Sequence, residues 1–239
     1  MEKWSRTLWL TFRVLFPYAL YVGILSIVSV LFEQLGWDSV MAVTLVGACL
    51  SSALLYFLYR QERGIQKLGA GETVDILFLS LSACLGLNAL LLLVAAPEES
   101  SKTVYAASLG MQLVTAGLAV PLVEEFLFRG LGFLRLREYM GFFPAALLSS
   151  LAFALYHGSL LQGIYAGCMG LLFAYLTEKK GGMEAAVLAH MTANLAALLL
   201  TACHADLWLT ASKLRLFALC ILSTVLFVRA GKQIGNNWA

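Results

Sequence analysis

Apolar residues fill the chain in long blocks, and short polar stretches punctuate them at nearly even intervals. Runs such as "YALYVGILSIVSVLF" and "ILFLSLSACLGLNALLLLVAA" carry no charge at all. Eight blocks stand out, at about 12–32, 40–59, 74–96, 104–128, 142–157, 160–177, 184–203 and 208–228. Most are close to the roughly 20 residues that an α-helix needs to cross a bilayer. The pattern predicts an all-α fold, a polytopic membrane helical bundle of about eight transmembrane helices. The fifth and sixth blocks are short and joined only by "HGSL", which predicts a tilted pair or a hairpin stopping short of the far surface. Connections are brief, and no repeat, Pro/Ser-rich linker or low-complexity tract divides the chain, so a single bundle is expected.

Composition agrees with that class. The chain is 61% hydrophobic and 13% charged, against about 25% charged in an average soluble domain. A net charge of +2 without a basic stripe argues against a nucleic-acid partner; the expected partner is the lipid bilayer. Cys49, Cys84, Cys168, Cys203 and Cys220 sit singly in apolar segments with no CxxC pair, and are expected to pack as small hydrophobes between helices. The start, "MEKWSRTLWLTFR", is basic, but no small-residue cleavage site follows its apolar run. It reads as a retained first span rather than a removed signal peptide.

Charge in the connections predicts orientation, because Lys and Arg accumulate on the cytoplasmic side. If the chain starts inside, the inner segments carry Lys3, Arg6, Arg13, Arg60, Arg63, Lys67, Arg129, Arg135, Arg137, Lys179, Lys180, Arg229 and Lys232. The outer segments carry only Lys102, Lys213 and Arg215. Both termini are therefore expected in the cytoplasm, and the bias supports an even number of spans.

Four places break the apolar pattern. A charged side chain at mid-membrane costs about 2.5–3.5 kcal/mol on insertion scales, so such residues face the bundle interior and usually serve function. In "VEEFLFRG", Glu125 and Arg129 are i,i+4 with the acid first, the better order for a pair. Glu124 points about 100° away on a helix. One carboxylate is thus tied to Arg129 while the other stays free, the asymmetry that a general base needs. His157 ends "FALYH", and His190 and Asn194 share a helix face in "HMTAN". Pro121, one turn before the glutamates, should loosen the fourth span and free a carbonyl. Each feature alone has a plainer explanation: an interhelical hydrogen bond for a lone histidine, a structural ion pair or a snorkelling helix end for the glutamates and Arg129. His204, in "CHAD" beside Asp206, reads as a solvated helix end. Asp75 and Glu184 read as carboxylates favoured by helix N-termini.

Together the motifs carry a family. "EEFLFR", "FALYH" and "HMTAN" match EExxxR, FxxxH and HxxxN in that order on successive membrane helices. The chain resembles the CAAX protease and bacteriocin-processing (CPBP, or ABI) family, which includes the CAAX prenyl endopeptidase. The likeness covers roughly 104–203, leaving three spans without family motifs in 1–103 and a last span with a cytoplasmic tail in 204–239. It implies an intramembrane endopeptidase whose catalytic core is 104–203, with a hydrated cavity reached from the cytoplasm. By motif position, Glu124 with His157 would activate water, His190 and Asn194 would stabilise the oxyanion, and Glu125 with Arg129 would hold the first motif in place. Preorganised donors of that kind are worth about 2.7–4 kcal/mol each.

Family names also speak of metalloproteases. Two histidines and a carboxylate suit zinc by type, and Glu124, His157 and His190 would be its ligands. HExxH is absent, however, and the histidines fall on different helices, so glutamate-activated water with no required cofactor is the expectation. No serine or cysteine is paired with either histidine, which argues against a covalent nucleophile. The resemblance points to a multi-pass inner (plasma) membrane hydrolase that cuts a membrane-associated peptide, such as a bacteriocin or pheromone precursor; prenylated CAAX tails are the eukaryotic example. From other classes come a non-proteolytic immunity factor or scaffold that keeps the motifs structurally, and a proton- or ion-coupled transporter. Paired Gly/Pro-broken helices in two halves, the mark of transporter repeats, are absent from the sequence.

Overall fold

A computed structural model describes residues 2–94 and 106–237; Lys102 and the edges of the third and fourth expected spans, within 95–105, lie outside the described residues. The helices are α1 (Glu2–Gln34), α2 (Val40–Glu62), α3 (Ala70–Val94), α4 (Leu109–Arg137), α5 (Phe142–Tyr156), α6 (Leu160–Lys180), α7 (Glu184–Ala202), α8 (Ala205–Thr210) and α9 (Lys213–Asn237). No strand occurs among the described residues. Each expected block corresponds to one helix, with α8 an added single turn and a half. Seven of the described helices are long and apolar enough to cross a membrane, and α5, at 15 residues, is the short one. The protein is a multi-pass helical membrane bundle.

Boundaries moved where polar residues continue a helix. The sixth block, expected short, is a full 21-residue span because Glu178, Lys179 and Lys180 extend it before Gly181 stops it at φ 68°. The eighth begins at Lys213, since Leu207 and Trp208 fold into α8. α3 starts at Ala70, so Glu72 occupies its first turn and Asp75 lies buried further along, not at the helix start. Glu184 does open α7. Serine caps set three other starts: Ser39, Ser108 and Ser159 accept from the amides of Ala42, Met111 and Gln162. The cysteine expectation holds for Cys84, which is buried; Cys49, Cys168 and Cys203 are exposed, and Cys220 is half-buried.

α4 is the axle of the bundle. Its apolar window is 56% buried, against 17% for α1 and α9. α2, α5 and α7 pack directly on it. At one end of the bundle, ion pairs gather basic residues from the set expected on the cytoplasmic side. Arg13 reaches Glu62 (3.0 Å) and Glu138 (2.9 Å), and Arg63 also reaches Glu138 (2.9 Å). Arg135 pairs with Glu62, Arg137 with Glu178 and Lys180 with Glu72. Singly such pairs contribute at most about 1 kcal/mol, but the network ties the ends of α1, α2, α3, α4 and α6 in register.

Candidate active site

The backbone of α4 is irregular where the charges sit. It runs as α-helix to Val114, π-helix over Thr115–Ala119, α-helix over Val120–Glu125, π-helix over Phe126–Phe133, and α-helix again to Arg137. In the first wide turn the Val120 amide bonds the Thr115 carbonyl, five residues back. The next donor in that register is Pro121, which has no N–H. The Ala116 carbonyl is therefore freed, as the proline predicted, and Asn194 Nδ2 on α7 donates to it at 2.9 Å. The second wide turn closes with the Leu134 amide on the Arg129 carbonyl. Glycine is needed there: a Cβ on Gly132 would lie 2.8 Å from the Leu127 carbonyl oxygen. Ser149 on α5 donates to the Phe128 carbonyl at 2.6 Å.

These turns carry Glu124, Glu125 and Arg129 into the interior, where Glu125 and Arg129 are fully buried. Glu125 Oε2 lies 3.3 Å from Arg129 Nε, the expected i,i+4 pair. Glu125 Oε1 also stands 2.8 Å from His190 Nδ1, and His190 Nε2 is 3.7 Å from Glu124 Oε2. One imidazole thus spans the two adjacent carboxylates, a bond across motifs that spacing alone did not reveal. His157 caps the C-terminus of α5, ahead of Gly158 at φ 71°, and its Nδ1 lies 2.8 Å from the Phe153 carbonyl. Glu124, His157, His190 and Asn194, from α4, the end of α5 and α7, all line one cavity of about 120 Å³. The sequence placed these four together, and the structure does so; Glu125 and Arg129 form the buried layer behind them.

Partner chemistry assigns the tautomers. A carbonyl only accepts, so His157 Nδ1 carries the hydrogen and a neutral ring offers Nε2 as a lone pair. The Glu125 carboxylate oxygen likewise accepts the Nδ1 hydrogen of His190. Asn194 spends one of its two amide hydrogens on Ala116 and keeps the other. Three aromatic rings close the layer beneath. The Arg129 guanidinium lies 4.4 Å from the Phe153 ring centroid, 5.2 Å from Phe173 and 6.0 Å from Phe128. Phe173 stacks on His190 at 4.8 Å and 26°, while Phe153 meets both His157 and His190 edge-on. Phe173 and Gly170, both on α6, had no sequence signal, being apolar residues in an apolar helix. By donor type the cavity suits zinc, but among the described residues no group of three His, Cys, Asp or Glu side chains is placed to hold a metal ion.

Comparison with known proteins gives the same segment. Residues 106–196 match the family described as Type II CAAX prenyl endopeptidase Rce1-like. A Bacillus subtilis (strain 168) protein named "Putative membrane peptidase YdiL" is 30% identical over 84 residues. That alignment covers 35% of this chain and 34% of the relative, so the chain matches about a third of the relative's length. No solved structure matches. The three motifs that converge in space all lie within residues 106–196, the segment that is similar to the Rce1-like CAAX prenyl endopeptidase family.

Proposed function

We propose that the chain is an intramembrane endopeptidase that hydrolyses a peptide bond of a membrane-associated substrate with water activated by Glu124 and His157. The observation that carries this is the meeting of Glu124, His157, His190 and Asn194 in one cavity. The Glu124 carboxylate and the His157 Nε2 lone pair are both acceptors, so together they hold the two hydrogens of a water and turn its oxygen lone pair toward a carbonyl carbon. As the C–O bond forms, Glu124 takes one water proton. The Asn194 amide hydrogen left over after Ala116 faces the developing oxyanion.

His190 has no hydrogen on Nε2 until it takes one up. A proton passed from Glu124 to Nε2 makes an imidazolium hydrogen-bonded to Glu125, and the new N–H then donates to the oxyanion and protonates the leaving amine as the C–N bond breaks. The water hydroxyl stays on the new carboxyl group, so atoms and protons balance with these side chains alone. Arg129 is six residues along the same helix from Arg135 in the basic rim. With that rim and both termini on the cytoplasmic side of a plasma membrane, cleavage falls near the cytoplasmic face. Peptide precursors embedded in lipid are the substrate class this position serves.

The test is a comparison of peptides released by cells carrying the intact chain and its Glu124→Gln or His157→Ala form. The expected result is a set of membrane-protein fragments lost in both variants while each still purifies as a folded protein in detergent. Unchanged peptide sets would overturn the assignment.

A further inference from the structure

We propose that Phe173 is a positioning residue for His190, a role resting on the peptidase reading above. The Glu125 bond at 2.8 Å fixes the direction of Nδ1 but not the plane of the ring, which can still swing about that bond. A flat contact is needed to fix the plane, and Phe173 supplies it. Its ring lies 4.8 Å from the imidazole at 26°, and the residue is 1% exposed. The edge of Phe153, 5.6 Å away at 83°, bounds the imidazole from a second direction. With the plane held, Nδ1 meets Glu125 and Nε2 faces Glu124 at the same time.

Phe173 also lies 5.2 Å from the Arg129 guanidinium, so one ring contacts both the imidazole and the buried cation. One turn earlier on α6, Gly170 leaves room for Arg129, since a Cβ there would stand 2.9 Å from Nη2 and 3.1 Å from Ser150 Oγ. α6 contributes no motif residue, yet it carries the face against which the His190 ring is set.

The experiment uses the full chain in detergent micelles with ¹⁵N-labelled histidine, comparing Phe173→Leu, which keeps an apolar side chain of similar reach, with Phe173→Tyr, which keeps the flat ring. His157→Ala and His204→Ala assign the His190 signals. The expected spectra show His190 as a single Nδ1–H tautomer in the unaltered chain and in Phe173→Tyr, and as exchange-averaged signals in Phe173→Leu. On a peptide that the chain is found to release, Phe173→Leu should lose roughly three- to tenfold in kcat with KM unchanged, the rate equivalent of one aromatic stacking contact, and Phe173→Tyr should regain it. An unaltered His190 signal in Phe173→Leu would overturn the proposal. So would equal losses in both variants accompanied by lower thermal stability, which would make Phe173 a packing residue only. If the intact chain released no peptide, the peptidase reading would fall while the spectra still decided what holds the imidazole.

Discussion

Glu125 and Arg129 are a buried pair whose two halves should be unequally costly to remove. Glu125→Gln strands the guanidinium, which does not shed its proton in proteins. Its remaining contacts include the rings of Phe153, Phe173 and Phe128 at 4.4, 5.2 and 6.0 Å, worth about 0.5–2 kcal/mol each. Breaking a buried pair from one side costs about 3–5 kcal/mol, and Glu125→Gln should fall in that range. Arg129→Met strands a carboxylate instead, but the His190 donor at 2.8 Å remains, and a carboxyl can neutralise itself by taking a proton. About 2–3 kcal/mol is expected for it, less than for the partner. With both changed, neither half of the pair is left without its partner, and neutral replacements of buried pairs are often tolerated. The double variant should therefore be more stable than Glu125→Gln alone, with a coupling energy of at least about 2 kcal/mol. Reversible unfolding in mixed detergent–SDS micelles, followed by far-UV circular dichroism, measures all four proteins. Additivity to within about 0.5 kcal/mol, or equal losses for the two single variants, would refute the pairing.

Three further outcomes follow from neighbouring contacts. Asn194→Leu removes the donor to the freed Ala116 carbonyl, so unfolding in the same micelles should show a loss of about 1–3 kcal/mol alongside loss of peptide release. Gly170→Ala pushes a methyl group to 2.9 Å from Arg129 Nη2; it should cost about 1–3 kcal/mol in the unaltered chain and much less in an Arg129→Met background, where the crowded atom is gone. Chelation followed by elemental analysis should leave peptide release intact in metal-free protein, and activity restored only by added zinc would reverse the metal-free mechanism.

The helices, their order and the four cavity residues were legible because each rests on a signal that hydropathy carries. A charge or an imidazole inside or at the end of an apolar block is conspicuous, and Glu124, Glu125, Arg129, His157 and His190 stand out in that way. Pro121 went further and announced a freed carbonyl. The receiver of that carbonyl, Asn194, was singled out for another reason, its i,i+4 spacing from His190, and the two signals met only in three dimensions. The π-helical turns of α4 were not legible, since a shift from four to five residues per hydrogen bond leaves the hydropathy of the block unchanged. The same holds for Phe173 and Gly170, which differ from their apolar neighbours by shape alone. Asp75 was misplaced because the polar start of α3, "AGETV", belongs to the helix although it does not belong to the apolar block.

The shape of an imidazole explains how adjacent glutamates come to serve one ring. On a regular helix Glu124 and Glu125 diverge by about 100°, yet Nε2 and Nδ1 of His190 lie 3.7 and 2.8 Å from them. The imidazole has two nitrogens on separate edges of its ring, so it accepts that divergence where a single-atom partner would not. The resulting cluster holds two acids, one permanent cation and one imidazole. A proton moving from Glu124 to His190 changes neither its total charge nor the number of groups facing lipid-like surroundings. A change of net charge in an apolar interior is what a membrane site can least tolerate, and the transfer that hydrolysis requires instead leaves an adjacent carboxylate and imidazolium whose charges cancel. Arg129 offsets Glu125 permanently, leaving the second negative charge free to be filled and emptied during a turnover.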